Sequence, residues 1–185
     1  MNHLIDFEEN PIIAAVRSYD DFKCALSSSV STIFVLACDL LSIDKYTEQA
    51  HAAGKKLFIH IDFLDGISKD NAGVSYLLTK NIDGIISTRT SVIKCASEKG
   101  IPTVQRFFMV DSRSVDTAID SMHSSRPDMI EIMPAVAYKT ITKIKNRTNI
   151  PIIAGGLVEK KDEIFAAISA GASGVSTAAK NLWEI

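Results

Sequence analysis

The sequence repeats one pattern from end to end: a short apolar run rich in β-branched residues, followed by a stretch with helical periodicity. Eight such runs occur, at residues 11–16, 32–37, 56–61, 83–87, 103–106, 128–133, 151–154 and 173–176. Most of them are too short for a helix, and their nearly continuous apolar residues are typical of strands buried on both faces. Strands that alternate with single helices predict right-handed βαβ units in a parallel sheet.

The stretches between the runs contain residues that are typical of helix starts and helix ends. Residues 43–53, 91–99 and 161–170 each precede a glycine, which commonly ends a helix. Residues 111–123 begin with an Asp-Ser capping signal, and residues 138–147 place Ile141 and Ile144 on one face. Eight βα units predict a closed (βα)8 barrel with short loops and a truncated last helix at residues 178–182. We expect a single domain over residues 1–185.

Composition narrows the class of protein. The chain is 46% hydrophobic with a net charge of −2, so it is not of the disordered class, and bulk charge does not favour nucleic acid. No apolar run reaches the length of about 18 residues that a membrane span needs, and residues 1–10 lack a signal-peptide pattern. We therefore expect a cytoplasmic protein. Its cysteines, Cys24, Cys38 and Cys95, are predicted to be buried or free thiols.

The ends of the last two strands favour phosphate binding. Gly155 and Gly156 follow the seventh strand and allow close approach of a ligand to the backbone. Ser176 and Thr177 follow the eighth and are predicted to open a short helix whose N-terminus attracts an anion. Phosphate commonly binds after strands 7 and 8 of such barrels. A double glycine that only turns the chain and a Ser-Thr pair that only caps a helix form the alternative.

Strand alternation also predicts a polar ring in the mouth of the barrel. His60 and Asp62 share one face of the third strand, and Glu131 points inward from the sixth. With Arg17 and Gln105 at strand ends, this ring suits a polyol or a sugar phosphate. One histidine and two acids are also compatible with acid–base catalysis or a divalent metal, but no catalytic or metal-binding motif is present. We predict no catalytic residue, no metal and no required cofactor.

Two further features leave alternatives open. Lys139, Lys143 and Arg147 form a basic helical stripe that suits RNA phosphates, although most charged helix faces are only solvated. Residues 106–110 form an apolar loop in which Arg106 also suits RNA. Its Phe107 and Phe108 are suited to stacking on bases, to a homodimer or protein-partner contact, or to packing in the core.

Several segments resemble the glycerol uptake operon antiterminator family, also described as glycerol-3-phosphate-responsive antiterminators. The matching segments cover nearly the whole chain in order: residues 10–17, 51–62, 83–88, 105–108 and 149–157, with Ala170-Gly171-Ala172 and Val175-Ser176-Thr177 near the end. The resemblance implies a small (βα)8 barrel that binds glycerol 3-phosphate and acts on leader mRNA of glycerol-utilisation genes to prevent premature termination.

Under that resemblance, the ligand phosphate is assigned to Gly155, Gly156, Ser176 and Thr177. The glycerol part is assigned to the polar ring. The main alternative is an enzyme on the same scaffold, an isomerase, synthase or phosphodiesterase acting on phosphosugars, because one barrel fold hosts many chemistries. A third interpretation is a ligand-binding protein that works through a protein partner.

Overall fold

A computed structural model describes residues 4–185, in which strands and helices alternate as the sequence predicts. The strands are β1 Ile12–Val16, β2 Thr32–Val35, β3 Cys38–Asp39, β4 Lys56–His60, β5 Leu64–Asp65, β6 Gly84–Ser87, β7 Thr103–Phe108, β8 Met129–Met133, β9 Ile152–Gly155 and β10 Gly174–Thr177. The helices are α1 Tyr19–Ser27, α2 Ile43–Ala52, α3 Asn71–Leu77, α4 Thr90–Glu98, α5 Arg113–Ser125, α6 Tyr138–Lys145 and α7 Lys161–Ser169.

Eight parallel strands close into a barrel in the order β1-β10-β9-β8-β7-β6-β4-β2. Each of the eight apolar runs supplies one of these strands, so the predicted (βα)8 barrel is confirmed. The loops after β2 and β4 contain the two-residue strands β3 and β5, which pair with each other outside the barrel.

Helix ends follow local chemistry. The Ser18 and Asp70 side chains accept hydrogen bonds from backbone N–H groups in the first turns of α1 and α3. Gly54, Gly100 and Gly171 adopt positive φ after α2, α4 and α7, as predicted. Two boundaries differ from the sequence prediction. Helix α6 ends at Lys145 rather than at residue 147, and the predicted last helix is a single 3-10 turn, Lys180–Leu182.

Strand alternation sorts the side chains into two layers. Outward residues such as Leu57, Ile59 and Ile130 pack against the helices. Inward residues of the amino half form a separate apolar cluster inside the barrel, which includes Ile13, Phe34, Phe58, Met129 and Ile153. The same alternation places polar residues inward at the carboxyl ends of β4, β7, β8 and β10.

Two findings bear on the class of protein. Within residues 4–185, no helix is long and apolar enough to cross a membrane. The three cysteines are free thiols, but none is fully buried: Cys24 is exposed, and Cys38 and Cys95 are partly exposed.

Candidate ligand site in the mouth of the barrel

A cavity of about 340 Å³ opens at the carboxyl ends of the barrel strands. Its lining includes Arg17, Arg106, Gly156, Ser176 and Thr177. A smaller cavity of about 170 Å³ shares Arg17 and Arg106 with it and reaches Phe63. Barrel enzymes bind their ligands at this end of the strands, so the mouth is the place to look for a ligand site.

A buried ion pair forms one wall of the mouth. The Arg106 Nε donates to Glu131 Oε2 at 2.6 Å, and the Ser176 hydroxyl donates to Glu131 Oε1 at 2.5 Å. Arg106 is 5% exposed and Glu131 is fully buried. The two lie opposite each other in the register of β7 and β8, so neighbouring strands bring them together. Because Glu131 engages only part of the guanidinium, Nη2 of Arg106 remains buried without a hydrogen-bond partner.

His60 is the second polar residue of the interior. It is 1% exposed, and neither ring nitrogen has a hydrogen-bond partner among the described residues. Its ring centroid lies 4.9 Å from that of Phe63. Burial, reinforced by the positive charge of Arg106 and opposed by Asp62, lowers the pKa of His60 to about 4. The imidazole is therefore neutral at physiological pH, with one donor and one acceptor nitrogen.

These atoms stand out against the rest of the protein. Residues 4–185 contain four buried side-chain polar atoms without a partner, and three of them belong to His60 and Arg106. A buried polar group left unsatisfied costs about 1–3 kcal/mol. Native proteins seldom retain such groups without a functional reason or a bound molecule.

The predicted polar ring is only partly formed. His60 and Glu131 point inward as predicted, and Arg17 lies exposed at the rim, where it lines both cavities. The inward direction predicted for Gln105 is wrong. Its amide faces the helices, where Nε2 donates to Ser121 Oγ at 2.9 Å and Oε1 accepts from Ser125 Oγ at 2.6 Å. The inward positions of β7 are Val104 and Arg106, and Gln105 lies between them.

Asp62 also departs from the prediction. Strand β4 ends at His60, and a 3-10 turn over Ile61–Phe63 breaks the period-2 alternation. The Asp62 carboxylate accepts hydrogen bonds from the Ser87 hydroxyl and from the backbone and hydroxyl of Thr88. Burial alone would raise the pKa of Asp62, but these hydrogen bonds and His60 outweigh it and lower the pKa. Asp62 thus organises the loop after β6.

The residues predicted for phosphate fall into two groups. Gly156 lines the large cavity at φ +78°, and Leu157 beside it is also left-handed at φ +60°. A left-handed leucine is strained, and such strain often marks a functional loop. Gly155 lies beneath the cavity wall, where a Cβ would come 2.5 Å from Glu131 Oε1. Gly155 therefore makes room for the buried ion pair rather than lining the cavity.

The helix N-terminus predicted after β10 is wrong. A three-residue turn, Lys180–Leu182, stands in its place. The hydroxyl of Thr177 donates to the carbonyl of Val158, another lining residue, at 2.8 Å and ties together the loops after β9 and β10. Ser176 points inward, onto Glu131.

The residues predicted for RNA do not form one surface. Assigning Arg106 to an exposed RNA surface is wrong, because β7 extends to Phe108 and buries Arg106 in the mouth. Lys139 and Lys143 are exposed on α6. Arg147 lies beyond the end of α6 and pairs with Asp116 at 2.6 Å.

The two phenylalanines of this segment differ in environment. Phe107 is half-buried and packs against the core, whereas Phe108 is 59% exposed.

No metal site accompanies the cavity. Among residues 4–185, no three His, Cys, Asp or Glu side chains are placed to hold an ion. His60, Asp62 and Glu131 therefore do not form the metal site considered as an alternative, because the two carboxylates are turned to other partners.

Sequence reasoning missed the role of Arg106. The available signal was its two-residue spacing from Val104 on β7. Residues two apart on a strand point to the same side, so if Val104 points into the barrel, Arg106 does too. There it can pair with Glu131, which points inward from the next strand.

The fold and the mouth define a class: a small (βα)8 barrel with a cavity at the carboxyl ends of its strands that is lined by two arginines, one of which has an unpartnered nitrogen. The chain belongs to the glycerol-3-phosphate responsive antiterminator family, whose model matches residues 12–183. It is 35% identical over 184 residues to the uncharacterized protein YgcP of Escherichia coli strain K12, covering 99% of this chain and 95% of that one.

Two solved structures of glycerol uptake operon antiterminator proteins are similar to this chain. The glycerol uptake operon antiterminator regulatory protein of Listeria monocytogenes has a TM-score of 0.92 at 30% identity, covering 97% of each chain. A glycerol uptake operon antiterminator-related protein of Thermotoga maritima has a TM-score of 0.84 at 30% identity, covering 94% of this chain and 98% of the other. Orotidine 5′-phosphate decarboxylase of Pyrococcus horikoshii, at 16% identity and a TM-score of 0.70, shares the fold alone.

Proposed function

We propose that this protein is a cytoplasmic regulator that binds glycerol 3-phosphate in the mouth of its barrel and acts on leader RNA of glycerol-utilisation genes. Membership of the antiterminator family supports the ligand and the regulatory role. The observation that carries the ligand site is the unpartnered Nη2 of Arg106, a residue that lines both mouth cavities. The two unpartnered ring nitrogens of His60 lie deeper, beside Phe63, which lines the smaller cavity.

The phosphate of the ligand lies between the arginines and the glycine loop in this proposal. Arg106 and Arg17 line the same cavity as Gly156 and Ser176. A guanidinium binds phosphate oxygens through paired N–H donors, so the free Nη2 of Arg106 gains a partner when an anion enters. At Gly156 a Cβ would have no neighbour closer than 3.6 Å, so the cavity there is open to a phosphate.

The glycerol part is proposed to face His60, whose ring lies 4.9 Å from that of Phe63 in the lining of the smaller mouth cavity. A neutral imidazole has one donor and one acceptor, and a hydroxyl group can satisfy either. With a pKa of about 4, His60 stays neutral and adds no second charge to the site at physiological pH. The resulting site combines cations for the phosphate with a neutral group for a hydroxyl, so it favours a phosphorylated polyol over free phosphate or free glycerol.

The same geometry favours a sensor over an enzyme. Of the nearby acids, Glu131 is engaged by Arg106 and Ser176, and Asp62 by the loop after β6. Neither carboxylate is free to move a proton on a ligand. The protein is therefore proposed to bind and release its ligand unchanged, and to need no cofactor.

The first experiment is a calorimetric titration with glycerol 3-phosphate, with glycerol and inorganic phosphate as competitor controls. We expect binding selective for the phosphorylated polyol, and the same compound recovered after long incubation. Conversion of glycerol 3-phosphate into another compound would show that the protein is an enzyme and would contradict the proposed regulator.

A pair of variants at Gly156 locates the phosphate. Gly156→Asp places a negative charge at the cavity wall and should abolish binding. Gly156→Asn has the same size and also tolerates the left-handed backbone, so it should retain much more affinity. Equal affinities of the two variants would place the phosphate elsewhere.

A further inference from the structure

Positive charge is concentrated on one side of the barrel. Residues 90–147, which span α4, α5 and α6, contain nine Lys and Arg against six Asp and Glu, in a chain of net charge −2. One of these cations, Arg106, is neutralised inside the barrel by Glu131. The other eight are exposed: Lys94, Lys99, Arg113, Arg126, Lys139, Lys143, Lys145 and Arg147.

The cations of this side also differ from the others in their partners. Of its eight exposed cations, only Arg147 has a side-chain ion pair or hydrogen bond within residues 4–185. Most cations elsewhere are engaged: Lys23, Lys80 and Lys180 pair with aspartates, and Lys55 and Lys69 bind backbone carbonyls. A polyanion meeting the α4–α6 side therefore displaces almost no internal partner.

A groove between α4 and α5 gives this side a place for a phosphate group. It encloses about 410 Å³ and is lined by Lys94, His123 and Arg126, with hydroxyls from Ser97 and Ser124 and one carboxylate, that of Glu98. Arg126 adopts a left-handed backbone at φ +52° at the end of α5. The Ser97 hydroxyl donates to the Arg126 carbonyl at 3.1 Å, so the donors that the groove offers to a nucleic-acid phosphate are its cations and the Ser124 hydroxyl.

The groove is connected to the ligand mouth through one strand. Ser125, which also lines the groove, donates to Gln105 at 2.6 Å. Gln105 precedes Arg106 on β7, and Arg106 points to the opposite side of the strand, into the mouth. A shift of β7 when ligand binds Arg106 would therefore reach the groove through a single buried hydrogen bond.

We propose that the α4–α6 side, centred on the groove at Lys94 and Arg126, is the surface that binds the phosphate backbone of RNA. This assignment rests on the proposed function for its RNA partner and replaces Arg106 as the RNA-contacting arginine. The exposed Lys139 and Lys143 extend the same surface along α6, whereas the stem of Lys145 packs beside Gly171 on the α7 side of that helix.

The test compares two double variants that remove equal charge. Lys94→Gln/Arg126→Asn changes the groove, and asparagine tolerates the left-handed backbone at that position. Lys160→Gln/Lys161→Gln changes two exposed lysines at the start of α7, outside the α4–α6 side. Fluorescence anisotropy measures the affinity of each for a labelled single-stranded RNA of about 30 nucleotides over a salt series, with saturating glycerol 3-phosphate.

We expect the groove variant to bind RNA roughly tenfold more weakly and to lose about 1.4 from its salt slope, since each single-strand phosphate contact contributes about 0.7. The α7 variant should stay within about twofold of the wild type. An equal loss of RNA affinity in both variants would mean that RNA is held by the overall charge of the protein, and it would contradict the assignment of RNA binding to the groove.

Two other outcomes separate this inference from the proposed function. Wild-type protein that binds glycerol 3-phosphate but no RNA at low salt would overturn the groove and the RNA partner while leaving the ligand site intact. RNA binding that depends on the groove, in a protein that does not bind glycerol 3-phosphate, would support the RNA surface and contradict the proposed ligand. Calorimetry with glycerol 3-phosphate and thermal unfolding of both variants check that each is folded.

Discussion

The two ends of the barrel are built from the same eight strands but satisfy their interior side chains differently. The amino end is closed and apolar: the rings of Phe34 and Phe58 lie 5.5 Å apart, and a Cβ on Gly84 would come 2.2 Å from Phe58. The carboxyl end is open and polar, and it holds His60 and Arg106 with three unpartnered atoms. Alternation along a strand decides which side chains point inward, but not whether they are satisfied there.

This difference separates stability from binding within one fold. Burial of apolar side chains at the amino end stabilises the folded state. The unpartnered buried polar groups at the carboxyl end destabilise it, and they remain available to hydrogen-bond a ligand. Substitutions at the amino end should therefore change stability alone, and those in the mouth should change ligand affinity as well.

The largest effect is expected at the buried ion pair. Arg106→Met leaves Glu131 as an uncompensated buried charge and should lower the free energy of unfolding by about 3–5 kcal/mol. Urea denaturation measures this loss, and calorimetry should show no binding of glycerol 3-phosphate. Arg106→Met/Glu131→Gln removes the charge as well, so it should recover at least half of the stability but none of the affinity. Ligand binding in the double variant would remove Arg106 from the site.

The next effect is a pH dependence that originates in His60. Its folded pKa of about 4 lies below the unfolded value, so the folded state binds fewer protons between those two values. Stability due to this group is unchanged above pH ~6.5 and falls as the pH drops, by about 2 kcal/mol between pH 7 and pH 5. His60→Asn should remove that part of the slope in urea titrations at several pH values. An identical slope in both proteins would show that His60 titrates normally.

A smaller and purely structural effect is expected at the amino end. Ile13 is fully buried in the apolar cluster, and Ile13→Val should lower the free energy of unfolding by about 0.5–1.5 kcal/mol. Affinity for glycerol 3-phosphate should stay within twofold of the wild type when measured by calorimetry. A large loss of affinity would mean that the two ends are not independent.

The smallest effect on stability is expected at the rim. Arg17 is exposed, and none of the ion pairs within residues 4–185 involves it, so Arg17→Gln should change the unfolding free energy by less than about 0.5 kcal/mol. The same variant should weaken ligand binding several-fold, because it removes a cation that lines both mouth cavities. Unchanged affinity would leave Arg106 as the cation that holds the phosphate.

Much of the fold could be predicted because each strand is a continuous apolar run. The eight runs and the helix-ending glycines are local signals, and all eight strands followed from them. The 3-10 turn after His60 has no such signal, since Ile61 and Phe63 continue the apolar alternation through it. For this reason the inward direction predicted for the Asp62 side chain was wrong.

The site itself depends on contacts between distant residues. Arg106 and Glu131 are 25 residues apart and meet only because β7 and β8 pair in one particular register. Two-residue spacing from Val104 could place Arg106 inside the barrel, but only the strand register shows that Glu131 lies opposite to pair with it. Gln105 was mistaken for the inward residue for the same reason.

The pairing of Gln105 and Arg106 on opposite sides of β7 has a consequence for how the protein would respond in a cell. If ligand in the mouth strengthens RNA binding on the α4–α6 side, thermodynamic linkage requires RNA to strengthen ligand binding by the same factor. The concentration of glycerol 3-phosphate at half-response would then depend on how much target transcript is present. Cells making more of the message would respond to less of the metabolite, so gene dose would tune the sensitivity of the sensor.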